Sequence, residues 1–348
     1  MQQTGSRQPP PERPSNAAAS FGMTDGLTGY LLSATQQAAI ACLPWVGRGD
    51  PMAADAAAVH AMRDVLGRMP AHVRVVIGEG EKDEAPMLHQ GEEFGTAPTP
   101  AIDLAVDPLE GTKACAAGHD GAVAVLAVSP SETMWSTPGW YMDKLVVGPK
   151  AAAAIDISRP IETNLAAIAQ ALGRKVTDLR AIVLSKPRHH DLIGRLRHQG
   201  VTVDLIPDGD VLGTLRVVMP DGDADLLVGV GGAPEGVLSA CAVRVMGAGM
   251  QARLAPQSPG EAARLSAVGQ DPQTVWDVTD LVSSRDCAFV MTGVTRSCLV
   301  EGPQPHDAFL HTTSMIISPL HPGVVILGRH DLGSVPELND ALESDVHA

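Results

Sequence analysis

The sequence predicts a layered α/β protein, and three observations carry this prediction. Stretches with apolar residues at helical spacing alternate with short runs rich in Val, Ile and Leu. Apolar residues make up 45% of the chain and charged residues 19%, a balance typical of globular proteins. The 348 residues suffice for one large domain or for two ordinary domains with sizeable cores. Strands that alternate with helices of this length predict parallel pairing.

In the N-terminal half, residues 1–20 predict a disordered tail, because their prolines lie among Gln, Ser and Asn. Residues 55–66 carry apolar side chains at helical spacing and predict a helix. Four apolar runs then predict strands, at 73–77, 101–106, 122–128 and 144–147.

The alternation is more regular in the C-terminal half. A helix is predicted at 165–172, and Gly173 suits the position just after its last turn. Residues 256–269 are rich in Gly, Pro and Ser and predict a surface connection. The other predicted elements are strands at 181–184, 201–206, 225–228, 287–291, 309–317 and 324–327, and helices at 191–198, 211–218 and 236–246. A boundary near residue 155 divides the chain into two parts.

Charge and cysteine content argue against several classes of function. With 40 acidic and 25 basic residues the net charge is −15, which argues against nucleic acid as a partner. The five cysteines are scattered and form no C-x-x-C pair, so we expect neither a disulfide framework nor a zinc cluster, and a reducing cytoplasm is the default. No run approaches the ~18 apolar residues of a membrane span, and no signal pattern opens the chain. We therefore expect a soluble cytoplasmic protein that binds no membrane.

The segment 107–112, with the sequence DPLEGT, follows the predicted strand that ends at Val106. Asp107 and Glu110 flank Pro108, which fixes φ and lacks a backbone donor, so both acids are held on a stiff turn where they can face one point. Two hard oxygen ligands at one point suit Mg²⁺ or Mn²⁺. The Gly-Thr step that follows offers N–H groups and a hydroxyl to an anion beside the metal. This combination indicates metal-assisted hydrolysis of a phosphate ester; the alternative is a strand-ending turn with solvated acids.

Ligands gather outside the carboxyl ends of strands in open α/β sheets, so the residues after each predicted strand are candidates for a site. Acids follow the strands of the first half, whereas a Lys/Arg pair and Gly-rich turns follow those of the second half. The simplest arrangement that uses both the acids and the cations is a metal cluster that faces a phosphate-binding wall. The candidate segments are 78–84, 107–110, 185–189, 207–210 and 229–236.

Two of these segments have a plainer alternative. Glu79 and Asp83 either point into the site or form part of a solvated acidic loop. Lys186 and Arg188 flank Pro187, which stiffens the turn, so the two cationic side chains should extend in fixed directions. Arg suits bidentate phosphate contact and Lys acts as a point charge. The alternative for this pair is a solvent-facing basic turn.

The remaining motifs are less specific. Segment 229–236 is similar to an anion-binding loop that opens a helix, but it lacks the Walker A ending. Glu235 in that segment either points at a ligand or complements the helix dipole. Asp55 opens a predicted helix, which by itself favours an N-cap role. No His pair has zinc spacing, and no Ser or Cys lies in a G-x-S-x-G elbow, so zinc and acyl-transfer chemistry are unsupported.

With these segments assembled, the chain resembles the class II fructose-1,6-bisphosphatases of bacteria, within the lithium-sensitive, metal-dependent sugar phosphatase superfamily. The hexapeptide 107–112 resembles the superfamily signature. The family-specific motifs occur in family order and cover roughly residues 40 to 250. They are GRGD at 47–50, IGEGEKDEAPML at 77–88, YMDKLVVGP at 141–149, KPRH at 186–189, PDGDV at 207–211 and GGAPEG at 231–236.

The resemblance implies a layered sugar-phosphatase fold of alternating helices and mixed sheets in two subdomains, a metal-binding one at 21–155 and a substrate-binding one at 156–348. It implies Mn²⁺ or Mg²⁺ as cofactor, with Thr112 orienting the attacking water and Glu79 or Asp83 as its acid partners. The implied metal ligands are Asp55, Glu79, Asp107, Glu110 and Glu235, with the carbonyl of Leu109. The implied substrate-binding residues are Glu110, Gly111, Thr112, Tyr141, Lys186, Pro187, Arg188, Asp208, Gly209, Asp210 and Gly232.

The implied activity is removal of the 1-phosphate of fructose 1,6-bisphosphate by a homodimer or homotetramer. The sequence departs from the family pattern at Pro51, Lys113 and 312–315, and the region after Leu254 looks shorter than usual. The same chemistry on another substrate, such as sedoheptulose 1,7-bisphosphate or a cyclitol phosphate, is therefore the first alternative. A catalytically inactive relative that binds sugar phosphates is the second.

Overall fold

The computed structural model describes residues 25–78, 87–137 and 140–331, so the predicted tail at 1–20 lies outside the described residues. The described helices are α1 (Asp25–Cys42), α2 (Pro51–Leu66), α3 (Thr112–Ala117), α4 (Ile161–Leu172), α5 (His190–His198), α6 (Asp210–Val218), α7 (Ala233–Met246), α8 (Pro259–Ala267) and α9 (Val278–Leu281). No helix within these ranges has the length and apolar content needed to span a bilayer.

The described strands are β1 (His72–Ile77), β2 (Glu93–Phe94), β3 (Ala101–Glu110), β4 (Val123–Pro130), β5 (Tyr141–Val147), β6 (Arg180–Leu184), β7 (Thr202–Ile206), β8 (Leu226–Gly232), β9 (Gly249–Leu254), β10 (Trp276–Asp277), β11 (Ala288–Gly293), β12 (Gln304–His306), β13 (Phe309–Ile317) and β14 (Pro322–Asp331). They form two mixed sheets, so the predicted α/β class is confirmed.

The first sheet has the strand order β12-β13-β11-β4-β3-β1-β2, with β14 on β13, and the second has the order β10-β9-β5-β8-β6-β7. Only β1–β3, β6–β7 and β6–β8 pair in parallel, so the prediction of parallel pairing holds for a minority of the described pairs. Parallel pairing needs a crossover connection of a dozen or more residues, and short links such as 318–321 between β13 and β14 force antiparallel pairs instead. Each sheet contains strands from both sides of residue 155; the division into two subdomains stays a prediction.

Helix α7 lies between the two sheets. One hydrophobic cluster joins α7 residues such as Val237 and Leu238 to Val125 and Phe289 of the first sheet and to Met142 of the second. Most of the helix is buried all round, which explains why it shows no polar face. Helices α1 and α2 cover the other face of the first sheet, and α4 and α5 cover the other face of the second. The layers therefore run helix, sheet, helix, sheet, helix.

Several helices and strands differ from those predicted. The segment 256–269 is not only a connection: it contains α8, whose first turn is capped by Ser258, with the serine hydroxyl accepting from the amide of Glu261. Helix α1 was not predicted. Strand β3 does not end at Val106 but continues to Glu110, because its register with β4 shifts beyond Asp107 and the strand thereby accommodates the proline.

Candidate active site

Asp107 and Glu110 at the end of β3 and Glu235 in the first turn of α7 bring their carboxylates together. One oxygen of each lies within 4.8 Å of the others. In a regular strand, residues three apart point to opposite faces of the sheet. The register shift between Asp107 and Glu110 breaks this alternation, so both side chains reach the same point.

The turn beside these acids is fixed by its own hydrogen bonds. The carboxylate of Asp107 accepts from the amide of Leu109 at 3.1 Å, and the hydroxyl of Thr112 donates to the carbonyl oxygen of Leu109 at 3.0 Å. Gly111 has φ +86°, and a Cβ there would lie 3.2 Å from Cα of Ala122. The backbone angle favours glycine at this position, and the close approach of the neighbouring chain leaves little room for a Cβ.

The pKa values of all three acids are raised, chiefly by burial. Burial, reinforced by the charges of Asp107 and Glu235, raises the pKa of Glu110 well above its usual range. Burial raises the pKa of Asp107, and it raises the pKa of Glu235 to about 7. The Oε2 atom of Glu235 is buried without a hydrogen-bond partner. A buried carboxylate oxygen without a partner, beside two other carboxylates, fits a hard divalent cation.

These pKa shifts predict how the metal-stripped protein responds to pH. Because the folded pKa of Glu235 is about 7 against an ordinary value of 4.5, the folded protein binds more protons than the unfolded chain in this interval. The contribution of protonated Glu235 to stability is complete below pH 4.5 and is lost as the pH rises through about 7. The melting temperature of the metal-stripped protein should therefore fall over this range.

Glu235→Gln is the matched variant for this prediction, and thermal unfolding with and without Mg²⁺ or Mn²⁺ is the measurement. The variant should lose less stability than the wild type between about pH 4.5 and 7. Added metal should flatten the wild-type curve, since a bound cation compensates the carboxylate charge. Identical pH dependence of the metal-stripped wild type and variant would contradict the prediction.

A cavity of about 630 Å³ contains this cluster. Most of the residues predicted for the site line it, namely Asp55, Asp107, Leu109, Glu110, Gly111, Thr112, Tyr141, Lys186, Arg188, Asp208, Asp210, Gly232 and Glu235. Pro187 is not among its lining residues; Gly209 precedes α6 with φ +80° and lines a neighbouring cavity. Glu79 and Asp83 lie outside the described residues. The cavity thus brings the acids of β3 and α7 together with the cations that follow β6.

Asp55 does not cap its helix. Helix α2 begins at Pro51, and the carboxylate of Asp50 caps it by accepting from the amide of Ala53 at 3.0 Å. The N-cap interpretation of Asp55 is therefore wrong, since the preceding acid fills that role. Asp55 lies further along the helix, where it lines the cavity.

The basic side of the cavity is held by specific contacts. The guanidinium of Arg188 donates to the carbonyl oxygen of Val230 from Nη2 at 2.8 Å and from Nε at 3.1 Å, and its Cζ lies 5.3 Å from the centre of the Tyr141 ring. Lys186 Nζ lies 3.9 Å from the carboxylate of Asp208. Arg188 is exposed yet fixed in direction, as a residue that grips an anion must be.

Sequence reasoning missed a buried cation at this site. Lys144 on β5 is buried, and its Nζ donates to Asp210 Oδ2 at 2.5 Å and to the carbonyl oxygen of Gly232 at 2.8 Å. Its charge also opposes the rise in the pKa of Glu235. The available signal was a lysine inside an apolar strand, a position where an unpaired charge is costly.

The site can be compared with known proteins. Residues 26–325 match the family described as bacterial fructose-1,6-bisphosphatase, glpX-encoded. The class 2 fructose-1,6-bisphosphatase of Haemophilus influenzae is 41% identical over 296 residues, which cover 81% of this chain and 89% of that protein. The protein named fructose-1,6-bisphosphatase 1 class 2 of Escherichia coli K12 is 41% identical over 296 residues, covering 81% of this chain and 88% of the relative. The residues that match the family, 26–325, include all those that line the cavity.

Proposed function

The chain belongs to the glpX-encoded bacterial fructose-1,6-bisphosphatases, and from this premise we propose that it hydrolyses the 1-phosphate of fructose 1,6-bisphosphate, giving fructose 6-phosphate and phosphate. One observation carries the proposal: a cluster of three buried or half-buried acids and a Lys/Arg pair line the same cavity. A substrate with two phosphates suits this arrangement, because one phosphate can meet the acid-bound metal while the cations hold the other.

The acids are proposed to hold Mn²⁺ or Mg²⁺, both of which accept oxygen ligands of this kind. A bound divalent cation supplies Lewis-acid activation of water and neutralises phosphoryl charge. The proposed ligands are Asp55, Glu79, Asp107, Glu110 and Glu235, with the carbonyl oxygen of Leu109. Glu235 is the best supported of the described acids, since one of its buried oxygens has no other partner.

The hydroxyl of Thr112 is proposed to orient the attacking water, with Glu79 or Asp83 as acid partners. Thr112 opens α3, directly after the left-handed Gly111, and its hydroxyl is already held by the carbonyl of Leu109. This fixed direction supports a role in positioning, because a hydroxyl that is not free to rotate presents its lone pairs to one place.

The opposite wall is proposed to bind the sugar and the non-reacting phosphate. Lys186 and Arg188 take the phosphate, as the charge of both and the fixed direction of Arg188 favour. Asp210, whose carboxylate accepts from buried Lys144, is proposed to accept a hydrogen bond from a sugar hydroxyl as well. The other proposed substrate contacts are Glu110, Gly111, Thr112, Tyr141, Pro187, Asp208, Gly209 and Gly232.

The direct test is phosphate release from fructose 1,6-bisphosphate by metal-stripped protein, with and without added Mn²⁺ or Mg²⁺. Metal-dependent release that Thr112→Ala abolishes is the expected result. A panel with sedoheptulose 1,7-bisphosphate and cyclitol phosphates distinguishes the proposed substrate from the same chemistry on another one. Folded, metal-bound protein that releases phosphate from no member of the panel would contradict the proposal and favour an inactive sugar-phosphate-binding relative. Light scattering tests the proposed homodimer or homotetramer.

Arg188→Ala should weaken substrate binding far more than it slows turnover of bound substrate. Loss of the charge-assisted contact to the second phosphate is expected to raise KM for fructose 1,6-bisphosphate by about tenfold to a hundredfold, with kcat changed less than about threefold. Arg197→Ala on α5 is the matched control, since Arg197 is exposed and does not line the cavity. Steady-state kinetics measure both constants, and an effect confined to kcat would contradict the role given to Arg188.

A further inference from the structure

His189 connects two strands at the point where they separate. Strands β6 and β8 pair in parallel at Ala181–Leu226 and Ile182–Leu227. Beyond these pairs the buried imidazole of His189 stands between the strands. Its Nδ1 lies 2.7 Å from the carbonyl oxygen of Leu184 on β6, and its Nε2 lies 2.8 Å from the amide nitrogen of Val230 on β8. The ring thus replaces ladder hydrogen bonds at the edge of the cavity.

The two partners determine the protonation of the ring. A carbonyl oxygen only accepts, so Nδ1 carries the proton, and a backbone N–H only donates, so Nε2 is the bare acceptor. Burial, reinforced by the charge of Arg188 and opposed by the carboxylate of Asp143, lowers the pKa of His189 and keeps the ring neutral. Gly229 makes the approach of the ring possible, because a Cβ there would lie 2.9 Å from Nε2.

Val230 links His189 to Arg188. The amide of Val230 donates to His189, and the carbonyl oxygen of the same residue accepts both hydrogen bonds from the Arg188 guanidinium. Both polar groups of one backbone residue are therefore occupied by two successive side chains of the segment that follows β6. Val230 also lies opposite Asp143 in the pairing of β8 with β5, so moving the imidazole leaves the strand in place. It removes the hydrogen bond that holds Val230 on the β6 side of the strand, where the Val230 carbonyl oxygen accepts from Arg188.

We propose that His189 is a positioning residue for the phosphate grip: as a strand-bridging imidazole it fixes the backbone of Val230, and through Val230 it aims Arg188 at the second phosphate of the substrate. This inference rests on the proposed function, since it assigns the grip to a sugar bisphosphate. His189 does not line the cavity, so the role proposed for it is indirect.

The test is a kinetic double-mutant cycle between positions 189 and 188 in the full-length, metal-loaded protein. His189→Phe keeps a ring of similar size but neither hydrogen bond, and it is expected to raise KM for fructose 1,6-bisphosphate about tenfold while kcat changes less than about threefold. In the Arg188→Ala background the same change should alter KM by less than about twofold, because the side chain it positions is gone. His190→Phe is the matched control: His190 is the next residue, is exposed and lies outside the cavity lining.

If His189→Phe does not yield folded protein, His189→Asn carries the same test. Its short amide keeps a donor for the carbonyl of Leu184 but is too short to accept from Val230. An equal KM factor in both Arg188 backgrounds, an unchanged KM, or a loss confined to kcat would overturn the inference. Failure of the wild-type protein to release phosphate from fructose 1,6-bisphosphate would instead overturn the proposed substrate, so the two failures are distinguishable.

Discussion

Replacing Glu110 by glutamine is expected to lower kcat/KM for fructose 1,6-bisphosphate by about 10³-fold at saturating metal, the loss of roughly 4 kcal/mol of transition-state stabilisation. The same substitution should raise the melting temperature of the metal-free protein. Both effects have one cause: Glu110 is buried against Asp107 and Glu235, and its negative charge is unfavourable until a cation compensates it. Glutamine has nearly the same shape and removes that charge.

The measurement pairs steady-state kinetics with thermal unfolding in chelator and in excess Mn²⁺ or Mg²⁺. Metal should raise the melting temperature of the wild type by mass action and that of Glu110→Gln much less. Glu301→Gln, at an exposed position of the described chain, is the control for loss of one negative charge and should alter neither property. A variant that keeps wild-type turnover, or whose metal-free form melts below the wild type, would contradict the assignment of Glu110 to the metal.

The acids of the site could be predicted because each follows a run of apolar residues that predicts a strand. Asp107 and Glu110 follow an apolar run, and Glu235 follows another, so the rule that ligands gather at carboxyl ends of strands selects them without any knowledge of pairing. The geometry that brings these acids together differs from the one predicted. The acids do not sit on a turn after the strand; they belong to β3 itself, and a register shift turns them to one side.

The contacts of Lys144 and His189 could not be predicted from the sequence, because their partners lie far along the chain. Lys144 contacts Asp210, 66 positions away, and His189 contacts Val230, 41 positions away. Each contact depends on which strands of the second sheet are neighbours, and periodicity gives no information on that order. A lysine among apolar residues or a histidine after a basic turn can be interpreted as a buried contact only once the order of strands in the sheet is known.

The helices show the same limit of prediction from sequence: their packing partners cannot be identified from local pattern. Helix α7 was predicted from its length and apolar content, but its place between the two sheets depends on packing with both of them. Helix α8 was missed because Gly, Pro and Ser dominate its surroundings, although Ser258 followed by Pro259 is an N-terminal signal in its own right. The composition of the whole segment 256–269 predicted a connection, whereas the adjacent residues Ser258 and Pro259 indicated the start of a helix.

Gly232→Ala is expected to lower kcat/KM by about a hundredfold and metal affinity by about tenfold or more, while the protein stays folded. The backbone of Gly232 has φ −67° and ψ 141°, angles that alanine adopts without strain. The obstacle is steric: a Cβ would lie 1.8 Å from Oε2 and 2.4 Å from Cδ of Glu235. The carboxylate is the far end of a flexible side chain, so it can move aside and the protein still folds. Glu235 then no longer lies beside Asp107 and Glu110.

Gly194→Ala is the matched control, since Gly194 lies in α5 with no atom within 4 Å of its would-be Cβ. It should leave activity unchanged and stabilise the protein slightly, by about 0.5–1 kcal/mol, because alanine is the better helix former. The decisive comparison is made in a Glu235→Ala background, where Gly232→Ala should cause little further loss of activity or of metal affinity. A full additional loss there would mean that the methyl group acts elsewhere, for instance on the Gly232 carbonyl that Lys144 binds. The expected coupling would instead show that the second glycine of the GGAPEG segment is required for the space that Glu235 occupies, and not for its backbone angle.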